Sequence, residues 1–492
     1  MATFLFPIPT TGSLAFSSFL INGSDQNLDT HLTEATNHRT ALRGILKTER
    51  RTGDGEKDAL AVFNAVENYL PCLISITNSL KVDDLLLGNE PVFSWRATCT
   101  QSFSPNPSRL SLSSFLAEET FVLLTYTYAL ANLSTSIVLS LVSTTASTFS
   151  SSSASSRAYE LDLALPTAER KKKDERLGQA ADLLCRAAGV AEYAAENVVG
   201  EWERDRVQRG GSGRGKGPVE GSKAFALGLS KMLLADAQLL SIRKLLAPSI
   251  SSVLHIGPPL PKPHPSPSLL AKLYLNVLSL YSLSHTLILS SSSSLTSSTS
   301  SSLATDSPID ELIKYVKDGK SFAEAMSRKW LGIDAGEFGD HKRIGEAIVW
   351  LRESKKILAD GSSEGRGLNA SGILGGIGKG KGKGKEEKKE RREKWADEEI
   401  IVESFLRAYE KANQTIYFVP IPTLSSLLSQ IPTGRAVLSL KKFVPPCPTF
   451  GPGSQGYISR SGVDLEGALD KMTLRGLNQD ADTGGVTSGG YY

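Results

Sequence analysis

The chain has 492 residues, 40% hydrophobic and 22% charged, with 55 Lys and Arg against 52 Asp and Glu for a formal net charge of +3. That apolar content excludes wholesale disorder, and the near balance of charge excludes a nucleic-acid binder acting through bulk electrostatics. The length allows two or three domains, or one large one carrying insertions. Four cysteines without a Cys-x-x-Cys pair, and six histidines without a His-x-x-x-His pair, argue against a disulfide scaffold, a zinc finger or a catalytic metal.

At the start of the chain, Pro7 and Pro9 break an apolar stretch that has no basic flank, which does not read as a signal peptide, and Ala2 excludes N-myristoylation. Leu60, Phe63, Val66, Leu70 and Leu73 recur at helical spacing. Phe121 to Val142 is long enough to span a bilayer, but its threonines, serines and Asn132 favour a buried helix in a soluble, cytoplasmic protein. Leu177, Ala181, Leu184, Ala188, Ala191, Ala195, Val198 and Trp202 place one continuous apolar stripe on a helix over 174–202, with small alanines that let a neighbour approach closely. Helices are also expected over 224–246 and 268–289, the latter apolar nearly all round and therefore buried. Ser307 to Asp310 has the form of a capping box opening a helix to about Trp330. Ile344, Ile348, Leu351 and Leu358 mark another helix, and 395–416 a last one. Ile416 to Pro422, β-branched, aromatic and broken by proline, must be extended.

Between these segments lie low-complexity runs near 143–156, 209–217, 258–267, 290–302 and 361–394, expected as flexible insertions, and a Gly-rich tail over 451–492, expected to be disordered. The expected organisation is one domain over 1–450 followed by that tail. Neither Gly-Lys run, at 210–217 or 375–385, is followed by Ser or Thr or preceded by a strand, so neither is a phosphate loop. The Lys/Glu/Arg run over 379–394 reads as a solvated helix. Cys185, amid alanines, reads as a small buried hydrophobe. No motif indicates an enzyme; the residual catalytic reading would place a site among Glu118, Glu119 and His285.

Several segments, in order, resemble the BRO-one domain of ALIX, BROX and the fungal pH-response proteins. The most specific is Lys411-Ala-Asn-Gln-Thr-Ile-Tyr-Phe-Val-Pro-Ile-Pro, followed by Ile431-Pro-Thr-Gly-Arg-Ala-Val-Leu. The stretch from Gly339 to Leu358, with Ala235-Asp-Ala-Gln and Val92-Phe-Ser-Trp, adds three more signatures. The resemblance covers about Phe4 to Pro446 and is strongest to the family's fungal alkaline-pH regulators. It implies a mainly α, boomerang-shaped domain with tetratricopeptide-like helix pairs at its centre, minor extended segments, no catalytic residues and no cofactor. It further implies an adaptor that binds the C-terminal amphipathic helix of the ESCRT-III filament subunit. Such an adaptor would link a membrane pH-sensing complex to proteolytic activation of a transcription factor, and would be recruited peripherally to plasma membrane or endosomes. The alternative is an endosomal cargo-sorting adaptor. Carried over segment by segment, the partner-binding positions are Asp174, Leu177, Leu240 or Ser241, Leu269, Leu273 and Tyr417. Gly178 stands where the family has a lysine.

Overall fold

Five short strands occur among the described residues: β1 (Thr10–Thr11), β2 (Leu20–Asn22), β3 (Leu85–Leu87), β4 (Phe93–Arg96) and β5 (Leu110–Leu112). The rest of the ordered architecture is helical: α1 (Asp29–Arg51), α2 (Ala59–Lys81), α3 (Phe115–Ala146), α4 (Thr167–Tyr193), α5 (Gly200–Arg209), α6 (Lys223–Leu246), α7 (Pro267–Ser293), α8 (Pro308–Phe338), α9 (Ile344–Ser363), α10 (Gly382–Ala412) and α11 (Leu424–Leu428). The computed structural model describes residues 3–23, 27–51, 58–99, 109–146, 167–209, 217–246, 257–260, 264–293, 308–363, 382–455 and 457. The expected insertions near 143–156, 209–217 and 290–302 fall mainly outside that set. So do both Gly-Lys runs over most of their length, and the tail beyond Tyr457. The fold class is as expected, mainly α with minor strands.

Two compact units divide the chain. One comprises Met1–Leu14, Thr36–Tyr69 and Glu90–Val444, the other Ala15–Ala35, Leu70–Asn89 and Pro445–Tyr492. In the smaller unit β2 pairs antiparallel with β3, Ile21 opposite Leu86. There the chain beyond the larger unit is pinned: Ser75 Oγ accepts from Thr449 N at 2.7 Å and from Phe450 N at 3.2 Å. The Phe450 ring stacks on His31, and Tyr457 donates to Asp84 at 2.6 Å.

In the larger unit, β1, β4 and β5 form an antiparallel sheet in the order β1–β4–β5, with Thr10 opposite Arg96 and Phe93 opposite Leu112. Glu118, at the start of α3, fastens this sheet to the helices. Its carboxylate accepts from Arg39 Nε at 2.8 Å, Tyr69 OH at 3.0 Å and Trp95 Nε1 at 2.6 Å, and the side chain is wholly buried. Arg39 spends its remaining donors on Gly12 O and Thr11 Oγ1. A buried charge is tolerable only when satisfied in this way.

Helices α3, α4, α6, α7, α8, α9 and α10 pack each against the next in chain order. Most of the polar residues along α3 find partners. Thr125, Thr127 and Thr135 donate to carbonyls four residues back, and Asn132 bonds both Phe6 N and Phe6 O at 2.8 and 2.9 Å. Among the described residues four helices, α2, α3, α6 and α7, are long and apolar enough to cross a membrane, and 78% of the apolar window of α3 is buried in protein.

Three helical expectations are modified. The helical stretch over 174–202 carries a π-helical segment, Ala194–Val199, between α4 and α5. The extra residue per turn re-phases the stripe, so all eight expected apolar positions are still buried. In α2 the buried stripe runs through Val62, Val66, Tyr69, Leu73 and Ile76, and Leu60 is exposed. Helix α7 was expected to be buried, yet only 33% of its apolar window is. It packs through Leu270, Leu273, Tyr274, Val277, Tyr281, Ser284 and Ile288, leaving Leu283 and Leu289 on the surface.

Candidate partner-binding surface

The end of α10 sets up this surface. Asn413, buried in a π-helical turn (Asn413–Tyr417), grips the backbone of Val419 twice: Nδ2 donates to its carbonyl at 2.9 Å and Oδ1 accepts from its N–H at 2.8 Å. Phe418 between them takes the left-handed conformation, φ 51°, which ends the helix and turns the chain back. Tyr417 is half-buried and its ring stacks on His341, centroids 4.7 Å apart. Past α11, Ile431 packs on the small cluster of Val349, Trp350 and Leu427, and the chain then runs extended.

This returning strap crosses α7, α6 and α4 in turn. Arg435 N donates to Lys272 O at 2.9 Å. Gln238 clasps the strap as Asn413 clasps its start: Oε1 accepts from Val437 N and Leu438 N, and Nε2 donates to Leu438 O at 2.7 Å. Lys441 bonds Cys185 O through its backbone and pairs with Asp182 through its ammonium group. Phe443 lies edge-on to Tyr126 and Tyr193. Two glycines permit the close approach, since a Cβ at Gly189 would stand 1.8 Å from Lys441 O and one at Gly434 2.7 Å from Asn276 N.

Against this strap each expected site residue has a definite place. Ser241 lies three residues beyond Gln238, Leu269 seven before Asn276, and Asp174 eight before Asp182. Helical spacing therefore puts all three on the strap-bearing face, where they are partly exposed. Gly178 is on the same face, with Lys244 Nζ 3.5 Å from where its Cβ would be. Leu177, Leu240 and Leu273 are buried beneath that surface, 2%, 4% and 3% exposed. The set thus divides into a surface rim and a packed interior. Tyr417 is apart from both, at the turn where the strap begins.

The signature Ala235-Asp-Ala-Gln is buried throughout. Asp236 accepts from the hydroxyls of Tyr281 and Tyr315, the latter at 2.8 Å, joining α6 to α7 and α8. Burial pushes its carboxyl up to about 7, although both hydrogen bonds pull it down. Gln238 and Asn413, which hold the strap, were not singled out from sequence; the only signal for them was membership in the signature segments.

Glu118, Glu119 and His285 do not form one site. Glu118 is engaged as above. Glu119 is half-buried, and its charge, after burial, helps push up the Tyr193 phenol. His285, on α7, is held below its ordinary value by burial and by Lys320 and Lys317 of α8.

A family model described as a BRO1-like domain matches residues 158–445, the span that holds the helical layer and its strap. The chain belongs to the BRO1-like domain family. Among BRO1-domain proteins it is 38% identical, over 485 residues, to the pH-response regulator protein palC of Cryptococcus neoformans var. neoformans serotype D (strain B-3501A), covering 93% of this chain and 95% of that protein. Among solved BRO1 structures, the ALIX BRO1 CHMP4C complex matches with a TM-score of 0.53 at 15% identity, over 92% of this chain and 98% of that one. ALIX in complex with the SIVmac239 PYKEVTEDL late domain matches with a TM-score of 0.51 at 14% identity, over 96% of this chain and 53% of that longer one. At such identities the structural likeness establishes the shared fold.

Proposed function

We propose that this BRO1 domain is a non-enzymatic adaptor in fungal alkaline ambient-pH signalling. It binds the C-terminal amphipathic helix of the ESCRT-III filament subunit and links a membrane pH-sensing complex to proteolytic activation of a transcription factor. The observation that carries the reading is the near full-length relationship to a pH-response regulator. The crystallised BRO1 domain of ALIX with CHMP4C supports the partner class. The partner helix would lie beside the strap, its apolar anchor on Leu269 above the packed layer that holds Leu177, Leu240 and Leu273, with Asp174 taking a basic side chain. Ser241 and Gly178, smaller than the family's residues, would widen the trough.

The test is a pull-down of the full chain with a synthetic helix of that subunit, comparing Leu269→Asp, which is half-exposed, with the parent. Loss of binding with an unchanged circular dichroism spectrum is expected; retained binding removes Leu269 from the contact, and failure of the parent to bind defeats the reading. A deletion strain growing poorly only at alkaline pH separates this function from general endosomal cargo sorting, which would fail at every pH.

A further inference from the structure

Several surface cations around α9 and on α10 have carboxylate partners: Arg343 with Glu346, Arg352 with Glu410, Lys355 and Arg407 with Glu403. The start of α4 and the close of α6 bring several cations together. Helix α4 opens with Arg170-Lys-Lys-Lys, and its first residues, from Ala168 to Lys172, are all exposed, so this end projects from the body. Beside it α6 ends at Arg243, Lys244, Leu245 and Leu246, as the approach of Lys244 Nζ to the Gly178 position requires. Among the described residues Lys171, Lys172, Arg176, Arg243 and Lys244 have no ion-pair or hydrogen-bond partner. The carboxylates nearest in sequence, Glu169, Asp174 and Glu175, are outnumbered.

Like charges crowded at one projecting end repel each other and cost stability unless something anionic meets them. At the same tip stands an exposed apolar side chain, Leu245, 38% exposed. A leucine is of no use to a phosphate backbone. Between lysines whose stems can lie along an interface, it suits the headgroup boundary of a bilayer.

We propose that this basic end, formed by the start of α4 and the close of α6, is a docking surface for an anionic lipid bilayer, with Leu245 entering the headgroup layer. Clusters of lysine and arginine gain about fivefold in binding per residue at an anionic surface, and the gain decays within a Debye length. The surface adjoins the rim that carries Asp174 and Ser241, so an adaptor seated there would hold its partner helix close to the membrane. The inference does not depend on the identity of that partner.

The experiment is co-sedimentation of the full chain with phosphatidylcholine vesicles, with and without about a third phosphatidylserine, at about 0.1 M salt. Binding to the anionic vesicles alone is expected. Lys171→Glu with Lys172→Glu should reduce it by about 25-fold or more, and Lys244→Glu by about fivefold or more. Leu245→Ser should weaken it, while Arg407→Glu on α10 should leave it unchanged. All these sites are on the surface, and melting curves verify that each variant is folded. Equal binding to both vesicle types, no binding to either, or full binding by the reversed-charge variants overturns the proposal. So does retention of the chain by single-stranded RNA through the same lysines when vesicles are ignored. Binding of the synthetic partner helix by the Lys171/Lys172 variant shows that a lost vesicle interaction is not a lost adaptor function.

Discussion

Glu118 and Asp236 are both buried carboxyls, and their partners differ. Glu118 faces a guanidinium and two further donors. Glu118→Ala would leave Arg39 buried and uncompensated, and urea unfolding should show a loss of about 3–5 kcal/mol. Asp236 meets only tyrosine hydroxyls on Oδ1, and Oδ2 has no partner. Its carboxyl, raised from an ordinary value of 3.8 to about 7, prefers its proton in the folded state. The folded chain therefore binds more protons than the unfolded chain between those values. The stability contributed by the neutral acid is complete below about pH 4 and is lost as pH rises through 7, by a few kcal/mol. Melting temperature followed from pH 5 to 8 should fall more steeply for the parent than for Asp236→Asn. Identical slopes would assign the pH dependence to another group.

Among the elements, the strap is where packing depends most on single residues. It has no ladder of its own and relies on Gln238, Asn413 and the bare backbone at Gly189 and Gly434. Gly189→Val places side-chain atoms where Lys441 O now lies, so the strap must lift from α4 while the helices beneath remain. Trypsin should then cut at Arg435, Lys441 and Lys442 several times faster than in the parent, with helical circular dichroism unchanged. Slow cleavage would mean that the strap finds another path. Helix α7 carries a different lesson: its leucines occur all round, but only one stripe meets α6 and α8, and an outer face of leucine and serine remains in solvent.

At the scale of the whole molecule, chain beyond the larger unit contributes to stability. A chain cut after Pro446 loses Phe450, 5% exposed, and the two backbone bonds to Ser75. It should unfold with a loss of about 3 kcal/mol. A chain cut after Tyr457 keeps these contacts together with the bond to Asp84, and should melt close to the full length. Equal melting of the two truncations would show that this anchoring contributes nothing.

Helical class, the order of the long helices and the return of the chain after α10 could all be read from residue order, because period, capping and proline act locally. Membership in the family was legible for a related reason: the signature residues Gln238, Asn413 and Gly434 each hold one backbone approach that few other residues could satisfy, and Asp236 ties two tyrosine hydroxyls. Periodicity marks a leucine as apolar without saying which neighbour it meets. Burial of Leu177, Leu240 and Leu273, exposure of Ser241 and Leu269, and the gathering of unpaired cations from α4 and α6 depend on how helices far apart in sequence come side by side. Only the tertiary structure decided them, since packing and electrostatic pairing are properties of neighbours in space.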